Sequence, residues 1–140
     1  MILTDELCDV LCAAALEKSK ENGIDISFAI SDEHGLPKVY RRYDKALALS
    51  ITLVPGKAYT AAVTQCKTKD VAAYAAEGGS LMAIQTNDPR ITLVAGGYAL
   101  FVNGKIAGGI GVGGGTEEQD CTIAESVVSV FHEMIKDKEA

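Results

Sequence analysis

The sequence predicts an α/β fold of the α+β type, in which a five-stranded antiparallel sheet is packed by helices. Apolar residues recur with helical spacing near both ends of the chain, and they alternate every second residue in several segments between. Short turn signals join consecutive strands, and strands joined in this way pair antiparallel. The predicted element order is α-β-β-α-α-β-β-β-α, with the first and last strands at the centre of the sheet.

Local signals predict the first three elements. Thr4 can cap a helix whose first turn is acidic and which Asn22-Gly23 ends. Bulky and small residues alternate over residues 24–31, which predicts a strand. A turn then leads into a second strand at residues 36–43, so the two strands are expected to form a hairpin.

The middle of the chain is predicted to be mainly helical. Residues 44–65 form a helical stretch that Pro55-Gly56 is expected to kink or divide, because proline lacks a backbone donor. The alanine-rich residues 69–77 predict a short helix that glycine ends. The stretch that follows, up to Pro89, is expected to be irregular.

The remaining elements are three strands and a helix. Strands are predicted at residues 91–94 and 98–102. Asn103-Gly104 suits a tight hairpin turn, which places the last strand from Lys105 onward. A helix capped by Thr116 follows, with a single apolar stripe expected to face the core.

Length and composition predict one globular domain over residues 1–140, because a chain of this size supports a single hydrophobic core. Hydrophobic residues make up 48% and charged residues 23%, which excludes a disordered chain. The net charge of -6 disfavours nucleic acid and anionic membranes as partners. The first residues are acidic and no apolar run reaches spanning length, so a cytoplasmic location is expected.

The cysteines are interpreted as free thiols. None of the four forms a C-x-x-C pair, and a reducing compartment keeps thiols free. Cys8 and Cys12 lie one helical turn apart and can face a metal together, but two ligands without a nearby histidine or acid make a poor site. A place in the core is the favoured interpretation for both.

Glycine dominates residues 108–115, and alternation leaves one face of this strand almost without side chains. One interpretation is that a helix or a neighbouring subunit packs backbone-close against this face. Another is that Gly113, Gly114 and Gly115, before the Thr116 helix, bind a carboxylate or phosphate through backbone N–H groups; both can hold together. A dinucleotide site is rejected, because no second parallel strand ending in an acid follows the G-x-G-x-x-G match.

Single polar residues offer further candidates. Arg42 and Lys57 can pair with the carboxylates of a ligand, although Arg42 can instead pair with Asp44 and Lys57 can be a solvated helix charge. His34 lies in a turn, where it can bind a metal or remain solvated. No nucleophile has a histidine that the sequence places within bonding reach, so no catalytic set is predicted and nothing demands an enzyme.

Motifs spread over nearly the whole chain carry a family resemblance. They are, in order, Ser31-Asp32-x-x-Gly35, Arg42-x-Asp44-x-Ala46, Ser50, Lys57-Ala58-Tyr59-Thr60-Ala61, Gly96-Gly97-Tyr98, the glycine-rich strand and Glu118-Gln119-Asp120. Each motif is weak alone, but their shared order and spacing resemble the GlcG/HbpS-like proteins. The similarity is greatest to the C-terminal domain of PduO-type corrinoid adenosyltransferases and to free-standing relatives associated with glycerol or propanediol use.

The resemblance implies a profilin-like layered fold, homo-oligomeric assembly and, in several members, haem binding, without adenosyltransferase activity in this domain. Haem is therefore the expected cofactor, with His34 as a candidate iron ligand and Cys8 and Cys12 as alternatives. Arg42, Lys57 and the three glycines before Thr116 are then expected to meet the carboxylates of haem or of another small anionic ligand.

Two other functions stay open. The chain can be a non-catalytic accessory or structural subunit of a cobalamin-dependent glycerol or diol dehydratase system, with the glycine-rich face as an interface. It can also be an enzyme that acts on a small acid or aldehyde, for which the sequence offers no catalytic set.

Overall fold

The computed structural model describes residues 2–139, so Met1 and Ala140 of the predicted domain lie outside the described residues. The described elements are α1 (Asp5–Glu21), β1 (Ser27–Asp32), β2 (Pro37–Arg42), α2 (Ser50–Thr64), α3 (Thr68–Tyr74), α4 (Ile84–Asn87), β3 (Gly97–Val102), β4 (Lys105–Gly113) and α5 (Glu117–Glu139).

The sheet is antiparallel, with the strand order β2-β1-β4-β3. The first and last strands are central, as predicted. Along their shared register Ser27 lies opposite Gly113 and Asp32 lies opposite Gly108. The hairpin β1-β2 and the hairpin β3-β4 therefore meet at the middle of the sheet.

The predicted fifth strand is wrong, because the sheet has four strands. Residues 91–94 form no sheet pairing. Side chains satisfy their backbone instead: the Thr92 N–H donates to the Thr60 hydroxyl at 2.8 Å, and the Gln85 side chain donates to the Ile91 carbonyl at 2.7 Å. The first bond holds the segment against α2 and the second holds it against α4, so its backbone groups find partners outside the sheet.

The predicted helix at residues 44–65 also differs from the structure. It begins only at Ser50, after a turn in which Asp44 has a left-handed φ of 42°. Pro55 lies inside α2 without dividing it, and the helix continues to Thr64. The loss of one backbone donor is offset by the burial of α2 against the sheet. One short helix, α4, forms in the stretch that was expected to be irregular.

Helices cover both faces of the sheet, which agrees with the layered arrangement that the family resemblance implies. Helices α1 and α5 pack on one face, where the larger hydrophobic core includes Phe28, Ile30, Ile110 and Phe131. Helix α2 packs on the other face, over a smaller cluster that contains Ala29. Among residues 2–139, no helix combines the length and the apolar character needed to cross a bilayer.

The bare face of β4 is covered by α2 of the same chain, which confirms the first interpretation of the glycine-rich strand. A Cβ atom on Gly111 would lie 2.5 Å from the Val54 carbonyl oxygen and 2.9 Å from the Ala58 nitrogen. A Cβ atom on Gly109 would lie 2.8 Å from the Ala62 nitrogen. The helix backbone thus rests directly on the strand backbone, and no side chain fits between them.

A buried tyrosine makes the fold sensitive to alkaline pH. The Tyr43 hydroxyl donates to the Cys12 carbonyl at 2.8 Å, and burial raises the pKa of Tyr43 from 10.0 to about 12. Between these two values the folded chain keeps a proton that the unfolded chain releases, so stability is lost as pH rises through this window. We expect the wild-type free energy of unfolding to fall by about 2 kcal/mol more than that of Tyr43→Phe over this range. Denaturant titrations at pH 9 and pH 12 measure the difference, and equal losses in both proteins would contradict the assignment.

Candidate functional site

The end of β4 and the start of α5 form a corner that we call the glycine corner, made of Gly113, Gly114 and Gly115. The side chain of Lys57, on α2, extends to this corner, and Lys57 is 1% exposed. Its Nζ donates to the Val112 carbonyl at 2.8 Å and lies 3.5 Å from Asp120 Oδ2. The structure therefore brings Lys57 and the three glycines together, as the sequence predicts.

The Asp120 carboxylate occupies the position expected for a ligand anion. Its Oδ1 accepts a hydrogen bond from the Gly115 N–H at 2.9 Å. The predicted capping box is also formed, because Thr116 N–H donates to Gln119 Oε1 and Gln119 N–H donates to Thr116 Oγ1. Three backbone donors at this helix end, those of Gly115, Thr116 and Gln119, are thus engaged by groups of the chain itself.

Burial shifts both members of the Lys57–Asp120 pair towards their neutral forms. Burial lowers the pKa of Lys57, and the nearby Asp120 carboxylate opposes this shift. Burial raises the pKa of Asp120, and the Gly115 N–H together with the Lys57 ammonium opposes that shift. The side chain of Asp120 is 7% exposed, so each group depends on the other for most of its charge stabilisation.

A cavity of about 180 Å³ adjoins this pair. The glycine corner, Lys57 and Asp120 form part of its lining, whereas Leu47, Leu49 and Val94 form an apolar part of the wall. Arg42 does not join them: its Nε donates to the Ala46 carbonyl at 2.7 Å. This geometry does not support the predicted grouping of Arg42 with Lys57 around one ligand.

A second concave region, which we call the hairpin groove, lies between the β1-β2 hairpin and α2. Its volume is about 260 Å³. Its wall is mostly apolar and is formed by Ala29, Ile30, Ser31, Gly35, Pro37, Val39, Tyr40, Pro55, Gly56, Tyr59 and Arg90. The small side chains of β1 and the proline and glycine of α2 leave this space open.

Polar contacts fix the aromatic rings of the hairpin groove. The Tyr40 hydroxyl lies 3.0 Å from the Ser27 hydroxyl, within hydrogen-bonding distance. The Tyr59 hydroxyl donates to Asp88, and the Arg90 guanidinium lies 4.1 Å from the centre of the Tyr59 ring. Arg90 also pairs with Asp88, at 3.2 Å from Nε to Oδ1. This cluster places one guanidinium at the rim of the groove.

His34 lies in the β1-β2 turn, directly before Gly35 of the groove wall. Its side chain is 73% exposed, and its Nε2 lies 3.4 Å from Glu33 Oε1. The Asp32 carboxylate holds the turn, because its Oδ1 accepts from the backbone N–H groups of His34 and Leu36. The exposed imidazole is thus carried by a well-defined turn whose next residue, Gly35, lines the hairpin groove.

The two regions lie at opposite ends of the sheet. Asp32 pairs with Gly108 next to the His34 turn, whereas Ser27 pairs with Gly113 at the glycine corner. Ser27 and Asp32 are the two ends of the six-residue strand β1, about 17 Å apart. One small anion therefore cannot contact both His34 and Lys57.

Cys8 and Cys12 are both buried in the core between α1 and its neighbours. Burial raises the pKa of each thiol, so both are protonated near neutral pH. Within residues 2–139, no three or more histidine, cysteine or acidic side chains are grouped so as to hold a metal ion. The location agrees with the favoured interpretation of these cysteines as core residues.

The sequence patterns predict no role for Asp120, Tyr40 or Tyr59. A signal for Asp120 was available, because it lies four residues before Ala124 and seven before Val127, on the stripe of α5 that is fully buried. An acid on an apolar stripe needs a buried partner. No comparable pattern identifies the two tyrosines, since the hairpin groove exists only when β1-β2 and α2 come together.

Comparisons with known proteins agree with this fold. The family model described as "Haem degrading protein HbpS-like" matches residues 3–129. A 15.0 kDa protein from the dhaT-dhaS intergenic region of Citrobacter freundii is 36% identical over 124 residues, covering 87% of each chain. The corrinoid adenosyltransferase PduO of Salmonella typhimurium is 31% identical over 87% of this chain, which corresponds to only 37% of PduO.

A solved structure, the PduOC:Heme complex, superposes on this chain with a TM-score of 0.86 and 30% identity. The match covers 91% of this chain and 93% of the other. Sequence and fold thus agree over nearly all of the described residues. The chain belongs to the HbpS-like family.

Proposed function

We propose that this protein binds haem at the hairpin groove, with His34 as an iron ligand. Its main support in the structure is an exposed imidazole on the β1-β2 turn, one residue before a glycine that lines the apolar groove. The likeness to a relative crystallised with haem supports the choice of cofactor. The finer assignments, to His34 and to this groove, come from the geometry of this chain alone.

The residues of the groove fit the chemistry of haem. A porphyrin needs an apolar surface, an axial ligand and a cation near its carboxylates. The Tyr40 and Tyr59 rings supply flat apolar surface, His34 supplies an imidazole and Arg90 supplies a guanidinium. When bound, haem would supply an iron centre that can take up small ligands or exchange electrons.

The size of the groove favours an oligomer. Pockets that enclose a whole ligand have volumes of about 300–1,000 Å³, and this groove holds about 260 Å³. A haem resting there keeps one face uncovered, and a second copy of the chain can cover it. We therefore propose that the haem-bound protein is a homo-oligomer, which light scattering with and without haem measures directly.

The other candidate ligands fit haem less well. Lys57 and the glycine corner already bind the Asp120 carboxylate, so the haem carboxylates gain little there. Cys8 and Cys12 are buried and protonated, whereas an iron ligand needs an accessible thiolate.

Replacement of His34 tests the proposed iron ligand. In a haem titration of purified protein, we expect His34→Ala to shift the Soret band and to weaken binding by about tenfold or more, because the axial bond is lost. His132→Ala is the matched control, since His132 is an exposed histidine on α5. A Cys8→Ala/Cys12→Ala variant is expected to bind as the wild type does. Unchanged spectra in His34→Ala would remove His34 from the proposal.

A role as an accessory subunit is a second candidate. Three large apolar residues around the start of α2 are exposed: Leu47 (61%), Leu49 (65%) and Ile51 (62%). Such exposure is typical of a contact surface. The relative from the dhaT-dhaS region and PduO suggest a cobalamin-dependent glycerol or diol dehydratase system as the place to look. Co-sedimentation with purified diol dehydratase, lost in Leu49→Glu, would support this role. No co-sedimentation at micromolar concentrations would count against it.

A further inference from the structure

The Lys57–Asp120 pair lies in a cavity that the haem proposal does not use. Both side chains are more than nine-tenths buried, and they line the same space of about 180 Å³. A lysine amine and a carboxyl group 3.5 Å apart, both facing a cavity, are a pair of proton-exchanging groups with room for a small molecule beside them.

The charges around the cavity disfavour an anion. Lys57 carries one positive charge, which Asp120 balances, and Glu117 adds a further negative charge to the lining. The Gly115 N–H is engaged by Asp120 and cannot serve an external carboxylate. A neutral ligand avoids the repulsion that an anion meets here.

The wall of the cavity favours a short aliphatic group. Its lining also includes five apolar residues: Leu47, Leu49, Leu53, Val94 and Ala95. A ligand that suits both sides has a small polar head for the amine and carboxyl groups and a hydrocarbon tail for the leucines. A short aliphatic aldehyde has this form, and its carbonyl carbon reacts with amines.

We propose that Lys57 binds short aliphatic aldehydes covalently as a Schiff base, with Asp120 carrying the proton. Transfer of a proton from the Lys57 ammonium to Asp120 frees the amine, which attacks the carbonyl carbon; a C–N bond forms, and the carbonyl oxygen takes this proton from Asp120. Asp120 then moves a second proton from the nitrogen to the hydroxyl group, the C–O bond breaks and water leaves, which gives the protonated imine beside the Asp120 carboxylate. One aldehyde and one amine thus give one imine and one water, without any oxidant or reductant.

Burial supports this chemistry. It lowers the pKa of Lys57, which increases the fraction of free amine near neutral pH, and it raises the pKa of Asp120, which favours the acid form. Lys69, by contrast, is 67% exposed and pairs with Glu117 at the surface. The two lysines therefore provide a matched comparison within one protein.

Borohydride trapping tests the inference. The full-length protein is incubated at pH 7 with butyraldehyde, reduced with sodium borohydride and digested, and the butylated lysines are quantified by mass spectrometry. We expect Lys57 to be modified several-fold faster than Lys69, because burial lowers the pKa of the Lys57 amine. With glyoxylate, an anionic aldehyde, Lys57 should be modified no faster than Lys69. Modification of Lys57 no faster than that of Lys69 with butyraldehyde would overturn the proposal.

Two variants of α2 control for access to the cavity. Leu53→Phe narrows the cavity and is expected to slow the modification of Lys57 by about tenfold while Lys69 is unaffected. Ile51→Phe changes an exposed residue outside the cavity wall and should leave both rates unchanged. Equal rates at Lys57 in the two variants would also contradict the proposal. In His34→Ala, Lys57 should be modified at the wild-type rate. Failure of haem binding and failure of this reaction are therefore separate results.

Discussion

Gly111→Ala is expected to destabilise the protein strongly, because Gly111 lies directly against the backbone of α2. The new Cβ would lie 2.5 Å from the Val54 carbonyl oxygen and 2.9 Å from the Ala58 nitrogen. Both are backbone atoms, so α2 as a whole must move away from the sheet. We expect a loss of about 3 kcal/mol or more in the free energy of unfolding, measured by urea denaturation.

Gly104→Ala is the matched control for this substitution. Gly104 has a φ of +76°, and nothing lies within 4 Å of an added Cβ. It therefore tests the cost of backbone strain without a clash, about 1 kcal/mol. If Gly111→Ala loses no more stability than Gly104→Ala, the glycines of β4 are not required for the close approach of α2.

Lys57→Met is the second change with a large expected effect. It leaves the Asp120 carboxylate buried without its cation, for which we expect a loss of about 3–5 kcal/mol at pH 7. Because burial raises the pKa of Asp120, the folded variant holds a proton that the unfolded chain releases, and its stability falls as pH rises above about 4. The deficit relative to wild type should therefore shrink in acid.

Two further variants isolate the buried charge. Lys57→Met/Asp120→Asn removes both charges but keeps an oxygen for the Gly115 N–H, so it should recover most of the lost stability. Lys69→Met breaks an exposed ion pair with Glu117 and should change stability by less than about 1 kcal/mol. A double variant as unstable as Lys57→Met would mean that lost packing of the lysine chain, and not the unpaired carboxylate, causes the effect.

The sequence is sufficient to predict features that depend on neighbours along the chain. Alternation over β4 predicts its bare face, and Thr116 with Gln119 predicts the start of α5. Residues 91–94 mislead, because their side chains favour a strand while contacts from Thr60 and Gln85 decide the outcome. The propensity of a segment cannot reveal partners that arrive from another helix.

The same distinction applies to the candidate site. The sequence predicts that Lys57 and the three glycines contact one ligand, and the structure places these residues in the lining of one cavity. The buried stripe of α5 indicates that Asp120 needs a partner, but the sequence does not identify Lys57 as that partner, since this contact joins α5 to α2 across the fold. The hairpin groove likewise depends on Tyr40 of β2 and Tyr59 of α2 coming together in one wall, far apart in the sequence.

Because Asp120 occupies the glycine corner and the hairpin groove is open, we propose that haem binds at the groove end of the sheet. Nuclear magnetic resonance with gallium protoporphyrin IX, a diamagnetic haem analogue, tests this placement most directly. Binding in the groove predicts amide shifts at His34, Gly35, Tyr40 and Gly56, with Gly114 and Gly115 unchanged. Shifts confined to Gly114, Gly115 and Lys57 would contradict the assignment of haem to the hairpin groove.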